Sequence, residues 1–156
     1  MLKMKQKSSA KHISSFFIEI ILVVFFFSIA CAIIVQIFGK AYINNNKADK
    51  INSAITKGQN LSEVFSSKGE IEDSFYYVFG DINSLDHTND SYTATFNKKW
   101  QSAKTDIYYS VIVTPSTEKS SLGIIIIAKI EIYNKNELLF STTSSKYLSG
   151  EAELHE

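Results

Sequence analysis

The sequence predicts an α+β protein in which one long N-terminal helix packs on a four-stranded antiparallel sheet. An apolar run from Phe16 to Phe38 is followed by a segment whose apolar residues recur every three or four positions, as on one face of a helix. From Tyr92 onward the apolar residues instead alternate with polar ones, which is the two-residue period of half-buried strands. This change of period divides the 156 residues into a helical part and a β-rich part.

Six segments follow from these patterns. They are a basic leader (1–14), a transmembrane helix (15–38), an amphipathic continuation of that helix (39–66), a short helix with a loop (67–91), an antiparallel sheet (92–148) and a flexible tail (149–156).

The apolar run has the length of a membrane span. It contains 23 residues, and Glu19 and Gln36 are its only strongly polar members. At about 1.5 Å per residue the helix measures roughly 34 Å, which exceeds a hydrocarbon core of about 30 Å. A secretory signal peptide has a shorter apolar core, of about 7–15 residues. We therefore expect a single membrane-spanning helix in contact with lipid.

The charges around the span predict its orientation. Four lysines and no acidic residue precede it, at positions 3, 5, 7 and 11, which places the N-terminus in the cytoplasm and the rest outside. All 16 basic residues are lysine and asparagine is abundant, a composition that indicates an AT-rich bacterial genome. The expected location is therefore the bacterial cytoplasmic membrane, with an extracytoplasmic C-terminal domain.

Small residues within the span have two readings. Ala30, Cys31 and Ala32 are of the size that lets membrane helices approach closely, which is the reading we favour. The stretch from Ser28 to Cys31 loosely resembles a bacterial lipobox, in which the cysteine would be acylated. The sequence after Cys31 stays apolar, whereas a lipoprotein turns polar there.

The segment after the span continues as an amphipathic helix. One stripe contains Ala48, Ile51, Ala54, Ile55, Gly58, Leu61, Val64 and Phe65, and most charged side chains lie off it. We predict one helix from about Ser14 to Phe65, although a glycine at position 58 weakens it by about 1 kcal/mol relative to alanine. The break Ser66–Gly69 and the segment EIEDSFYYVFG predict a second, short helix.

Four strands are expected in the β-rich part. Their apolar positions start at Tyr92, Ile107, Ile124 and Leu138, and short links make them an antiparallel meander. The stretch TPSTEKSSLG joins the second strand to the third, and Asn134–Asn136 forms a tight turn between the third and the fourth. Trp100, which lies amid Lys98, Lys99 and Gln101, is expected to be a packing anchor at the rim of the sheet, a role favoured over that of a ligand platform.

Several functions are not expected from this composition. Arginine is absent and no basic patch stands out, so nucleic-acid binding is not predicted. No zinc-ligand spacing, phosphate-binding loop or nucleophile motif occurs, so we expect neither a cofactor nor an enzyme. The loop 81–90 begins like a calcium loop at Asp81 and Asn83, but Leu85 breaks the pattern. A solvated acidic loop is favoured there over a weak calcium site.

The residues FFIEIIL at 16–22 resemble the start of type IV pilins and pseudopilins, in which a glutamate lies five residues into the mature chain. The stretches SSFFIEIILVVFFFSIACAIIVQIFGKAY and INSAITKGQNLSEVF are similar to small pilin-like proteins of Gram-positive bacteria, described as type II secretion-type. The resemblance is specific over residues 14–65, and the β-rich part resembles the family only in pattern.

The resemblance implies a minor pilin or pseudopilin, whose partners are other pilin-like subunits and an assembly platform. A prepilin peptidase would cut between Ser14 and Ser15, where the family normally has glycine before the cut. Glu19 would then guide assembly by pairing with the new N-terminal amine of a neighbouring subunit. In the alternative, Glu19 reaches the lipid headgroups, and the chain is a membrane-anchored extracytoplasmic binding or accessory domain that never polymerises.

Overall fold

The computed structural model describes residues 6–80, 82–88, 90–120 and 123–149, with side chains from residue 15 onward except that of residue 120. The fold is of the α+β class, with a long N-terminal helix packed on an antiparallel sheet. The chain divides into two compact units, residues 1–47 and 48–156. The second unit holds the sheet, a short helix and the C-terminal end of the long helix.

Helix α1 spans Gln6–Lys68, so it begins earlier and ends slightly later than the predicted helix. No proline or glycine lies between its first residue and Gly39, so nothing in the predicted leader interrupts it. The helix ends just before Gly69, the last residue of the predicted break, which has a φ of 84° and whose N–H donates to the Phe65 carbonyl over 2.7 Å. A glycine with positive φ is the usual way to end a helix.

The packed face of α1 is narrower than the predicted stripe. Ala54, Gly58, Leu61 and Phe65 are buried, at spacings of three and four. Ala48 is exposed, contrary to the prediction, since the covered part of α1 starts only at about Lys50.

Gly58 has a packing role that the sequence did not reveal. A Cβ atom at this position would overlap the ring of Phe140 and lie 3.3 Å from Ile132 Cδ1. The glycine therefore allows the helix to approach the sheet closely, at the cost of helix propensity.

Polar contacts also join α1 to the sheet. The Ser144 hydroxyl donates to the Ser62 carbonyl over 2.9 Å and lies 2.7 Å from the Ser66 hydroxyl. The ammonium of Lys146 donates to the carbonyls of Ser67 and Lys68, over 3.2 and 2.6 Å. A lysine at this end of a helix satisfies carbonyls that have no partner within the helix and complements the helix dipole.

The predicted short helix is confirmed as α2, Ile71–Phe79. Gly80 follows it with a φ of 79°, and its N–H donates to the Tyr76 carbonyl over 2.8 Å. Phe75 is fully buried, whereas Tyr76 is 64% exposed. The helix therefore covers the core with one face.

The sheet has five antiparallel strands, not four, in the order β1-β2-β3-β4-β5. They are β1 (Asp86–Thr88), β2 (Ser91–Phe96), β3 (Tyr109–Ser120), β4 (Gly123–Asn134) and β5 (Glu137–Ser149). The additional strand is β1, which lies within the predicted loop. Its three residues show no apolar alternation; they pair with β2, and His87 stacks on Tyr92 with ring centroids 4.2 Å apart.

Strands β3 and β4 are longer than predicted. Most of TPSTEKSSLG was expected to be a link, but β3 continues to Ser120 and pairs with β4 throughout. Pro115 is tolerated because the pairing of β2 with β3 ends at Val113, so the proline lies in the part of β3 that is an edge. The pairing is extended because isoleucines 124–127 of β4 provide continuous β-branched residues.

The turn 134–136 is confirmed, with Lys135 at a φ of 55°. Strand β5 reaches Ser149, so the sheet extends one residue past the predicted end at 148 and includes the first residue of the predicted tail, whose other residues lie outside the described ranges.

The core lies between the sheet and the two helices. It comprises Ala54, Leu61, Phe65, Phe75, Ala94, Phe96, Tyr109, Val111, Val113, Ala128, Ile130 and Ile132. Ile107, which was expected to share this face, precedes β3 and is 43% exposed. On the outer face Lys129 pairs with Glu131 over 2.9 Å, and this hydrogen bond raises the pKa of the lysine above its ordinary value.

Candidate functional site

The first candidate site is the apolar surface of α1. Every side chain from residue 15 to residue 49 is exposed. Within the described part of the chain, α1 is the one helix long and apolar enough to cross a membrane. An apolar surface this large requires lipid or other apolar helices around it, so it is consistent with membrane anchoring.

Glu19 lies on this exposed surface. No hydrogen bond or ion pair joins it to another side chain that the structure describes, so its carboxylate is available to another molecule. The hydroxyl of Ser28, in contrast, is satisfied within the helix and donates to the Val24 carbonyl over 2.8 Å. Glu19 is the one charged residue of the apolar run 16–38, and in an apolar environment it requires an external partner.

The other predicted site residues fall on different faces of α1. At 3.6 residues per turn, Ala30 lies within about 20° of Glu19, and Ser15 lies one turn before it on the same side. Cys31 and Ala32 lie more than about 100° away, so the small residues do not form one face with the carboxylate. All four are exposed.

The side chain of Ser14 lies outside the described residues, so the proposed cleavage junction between Ser14 and Ser15 is described only on its C-terminal side. Lys40 and Tyr42 follow the apolar run closely, and both are exposed. Tyrosine and lysine are typical of the membrane–water interface. The apolar run thus ends in residues suited to the headgroup region.

A second candidate site is centred on Trp100. Its indole stacks on Tyr109, with centroids 4.1 Å apart and planes 8° apart, and it also lies beside Phe79 and Phe96. Trp100 is half-buried against the core, so its predicted role as a packing anchor is confirmed. Burial, reinforced by the charge of Tyr108, raises the pKa of the Tyr109 hydroxyl above 10.0.

The backbone at Trp100 has an unusual conformation. Its φ is 61°, in the left-handed region that large side chains rarely adopt. Asn97 holds the turn: its Oδ1 accepts the N–H of Lys99 over 2.8 Å and that of Gln101 over 3.1 Å. The Trp100 N–H donates to the Asn97 carbonyl over 3.1 Å. Strain of this kind is often found at functional sites.

An open cleft of about 300 Å³ lies between α1 and this turn. It is lined by Asn52, Ser53, Thr56, Lys57 and Trp100. The Lys57 ammonium donates to the Val78 carbonyl over 3.2 Å and lies 5.3 Å from the centroid of the Phe79 ring. Sequence reasoning missed the four helical residues because they lie off the apolar stripe, and nothing in the sequence places them beside Trp100.

A second open cleft, of about 380 Å³, lies beside the loop for which a calcium site was considered. Its lining includes Ser84, Asp86 and Lys104. Among the described residues no group of three or more acidic, histidine or cysteine side chains could hold a metal ion, and Asp81 lies outside them.

The polar groups beside this second cleft form hydrogen bonds that stabilise the sheet. The Ser84 hydroxyl donates to the Thr95 carbonyl over 2.7 Å and accepts the Thr95 N–H over 3.1 Å. The Ser102 hydroxyl donates to that of Ser84 over 2.8 Å. The Ser84 side chain therefore forms hydrogen bonds with the backbone N–H and C=O of Thr95, as a neighbouring strand would, and this protects this edge of β2.

No model of a known protein family, no curated protein and no solved structure matches this chain. An assignment to a class of protein therefore depends on the sequence pattern and on the structure itself.

Proposed function

We propose that this chain is a minor pilin or pseudopilin, a non-enzymatic structural subunit of a type IV pilus or a type II secretion-like filament. The observation that carries the proposal is the difference in chemistry and packing between the two parts of α1. Its apolar run, residues 16–38, is exposed and includes one carboxylate, whereas its last part is packed against an antiparallel sheet. This division provides an apolar stem for assembly and a folded domain.

Glu19 guides assembly in this proposal. Inside a bundle of apolar helices, an isolated carboxylate is costly, whereas a carboxylate paired with a cation is strongly attracted to it because the local dielectric constant is low. Removal of the leader after Ser14 would create an amine at Ser15 for this purpose. The amine of one subunit then pairs with Glu19 of the next.

The proposed location is the bacterial cytoplasmic membrane. The lysines of the leader keep the N-terminus in the cytoplasm, and the folded unit lies on the other side. The partners are membrane lipid, other pilin-like subunits, an assembly platform and a prepilin peptidase.

A second candidate function is that of a membrane-anchored binding or accessory domain that does not polymerise. The sequence at the proposed cleavage junction favours this second function, because Ser14 occupies the position where the peptidase normally finds glycine. Without cleavage there is no new amine for Glu19, and the carboxylate would instead reach the headgroups.

Intact-mass measurement after co-expression with an active prepilin peptidase separates the two candidates. The filament proposal expects a product that begins at Ser15. A full-length mass alone, with the peptidase shown to cleave a second substrate in the same cells, would favour the anchored domain. A mass increment at Cys31 from a diacylglyceryl group would instead support lipidation.

Substitution of Glu19 tests its role directly. We expect Glu19→Ala to abolish incorporation into filaments and to leave membrane insertion intact, since the helix becomes more apolar. Gln36→Ala is the matched control, because it removes the other strongly polar side chain of the apolar run. Equal incorporation of wild type and Glu19→Ala would refute the assembly role.

A further inference from the structure

We propose that the cleft beside Trp100 is a binding site for a sugar ring that carries a negative charge, as in an anionic glycan. The proposal does not depend on filament assembly, since every residue of the cleft belongs to the second unit. It rests on the shape of the cleft, on the conformation of Trp100 and on the chemistry of the lining.

The indole is held in place by more than hydrophobic packing. A glycine would adopt the φ of 61° without strain, yet this turn places the chain's single tryptophan there. Asn97 fixes the turn through two backbone N–H groups, and Tyr109 supports one face of the indole. The exposed surface of Trp100 therefore reaches the cleft in a preorganised position.

The lining offers the groups that recognise a sugar. Asn52 contributes an amide that both donates and accepts, and Ser53 contributes a hydroxyl. The Thr56 hydroxyl donates to the Asn52 carbonyl over 2.9 Å, so it offers a ligand only an acceptor. Aromatic surface beside such groups suits a ring that has apolar C–H faces and a polar rim. The volume of about 300 Å³ is at the small end for ligand sites, so the open cleft holds one or two rings of a glycan and leaves any further rings in solvent.

The charge of the cleft selects an anionic substituent. Lys57 lines it, and its ammonium is positioned by Val78 and Phe79 while it uses one of its three donors. The exposed Lys98 and Lys99 belong to the same turn as Trp100. No carboxylate is among the described residues that line the cleft, so a cationic ligand would find no counter-charge.

Trp100 makes the proposal directly measurable, because tryptophan emission from this protein can come only from the cleft. Full-length protein in detergent is titrated with trigalacturonate, neutral maltotriose and succinate. We expect trigalacturonate to shift the emission with a dissociation constant of about 1 mM, as suits a small open site, and the other two to act at least about tenfold more weakly. No shift with trigalacturonate, or an equal shift with succinate or maltotriose, would overturn the proposal.

Two variants show whether the response comes from the cleft. Asn52→Ala removes an exposed amide that makes no hydrogen bond to a described side chain, and we expect it to weaken trigalacturonate binding about tenfold. Asn60→Ala is the matched control, an exposed asparagine of the same helix that is not part of the lining, and it should bind as wild type. Equal affinity of wild type and Asn52→Ala would contradict the assignment of the site.

Discussion

Gly58→Ala separates helix propensity from packing, because the two effects have opposite signs. Propensity alone predicts that alanine in the middle of a helix stabilises the protein by about 1 kcal/mol relative to glycine. The structure predicts the reverse, since the added Cβ would overlap the ring of Phe140. Overpacking costs typically about 1–3 kcal/mol, so we expect a net destabilisation of about 1 kcal/mol. Urea unfolding of the full-length protein in detergent, followed by Trp100 fluorescence, measures the difference.

A second substitution tests the cause of that effect. Phe140→Leu removes the ring that the new Cβ meets, so Gly58→Ala should cost less in the Phe140→Leu background than in wild type. The coupling between the two substitutions should be at least about 0.5 kcal/mol. A Gly58→Ala protein more stable than wild type by about 1 kcal/mol would refute the close approach of α1 to β5.

Three further predictions concern the sheet and its contacts. Ser84→Ala leaves the Thr95 N–H without its hydroxyl partner, and urea unfolding should show a loss of about 1–3 kcal/mol, whereas an unchanged midpoint would contradict the edge role of the hydroxyl. Lys146→Met removes the donor to the last carbonyls of α1 and should lower stability by about 0.5–1 kcal/mol, a loss that Lys146→Arg should largely avoid. The pKa of the Tyr109 hydroxyl is raised above 10.0 in the folded protein, so the folded state holds this proton more tightly than the unfolded state does. The stability that the protonated hydroxyl contributes is therefore complete below pH 10 and is lost as the pH rises through the raised value. Unfolding measured at successive pH values should therefore show a steeper decline above pH 10 in wild type than in Tyr109→Phe, and parallel curves would exclude this linkage.

Local patterns predicted the helices well because their signals are contained in neighbouring residues. The stripe through Ala54, Leu61 and Phe65 identifies the buried face of α1, and Gly69 and Gly80 mark the ends of α1 and α2. Each of these signals depends on residues within one or two helical turns.

The strands were predicted less well, for a physical reason. The residues of β1 have no apolar alternation, so their strand exists only through pairing with β2. The end of β3, after Pro115, reads as a turn-rich link, yet it forms a strand because β4 continues opposite it. Strand pairing is a contact between segments, and a sequence window that contains only one of the two cannot reveal it.

The two candidate sites also differ in whether the sequence alone could identify them. Glu19 was identified from the sequence alone, since a carboxylate within an apolar run is conspicuous without any knowledge of the fold. The cleft beside Trp100 could not be identified, because Asn52 and Lys57 meet the indole across more than 40 residues of chain.

The sequence by itself therefore determined the apolar span, the change from a helical to a strand period and the position of Glu19, because each follows from the order of residues along the chain. Only the tertiary structure decided the fifth strand, the need for glycine at position 58 and which residues line the cleft beside Trp100. These three depend on contacts between distant segments, whose geometry arises when the helix and the sheet bury their apolar faces against each other.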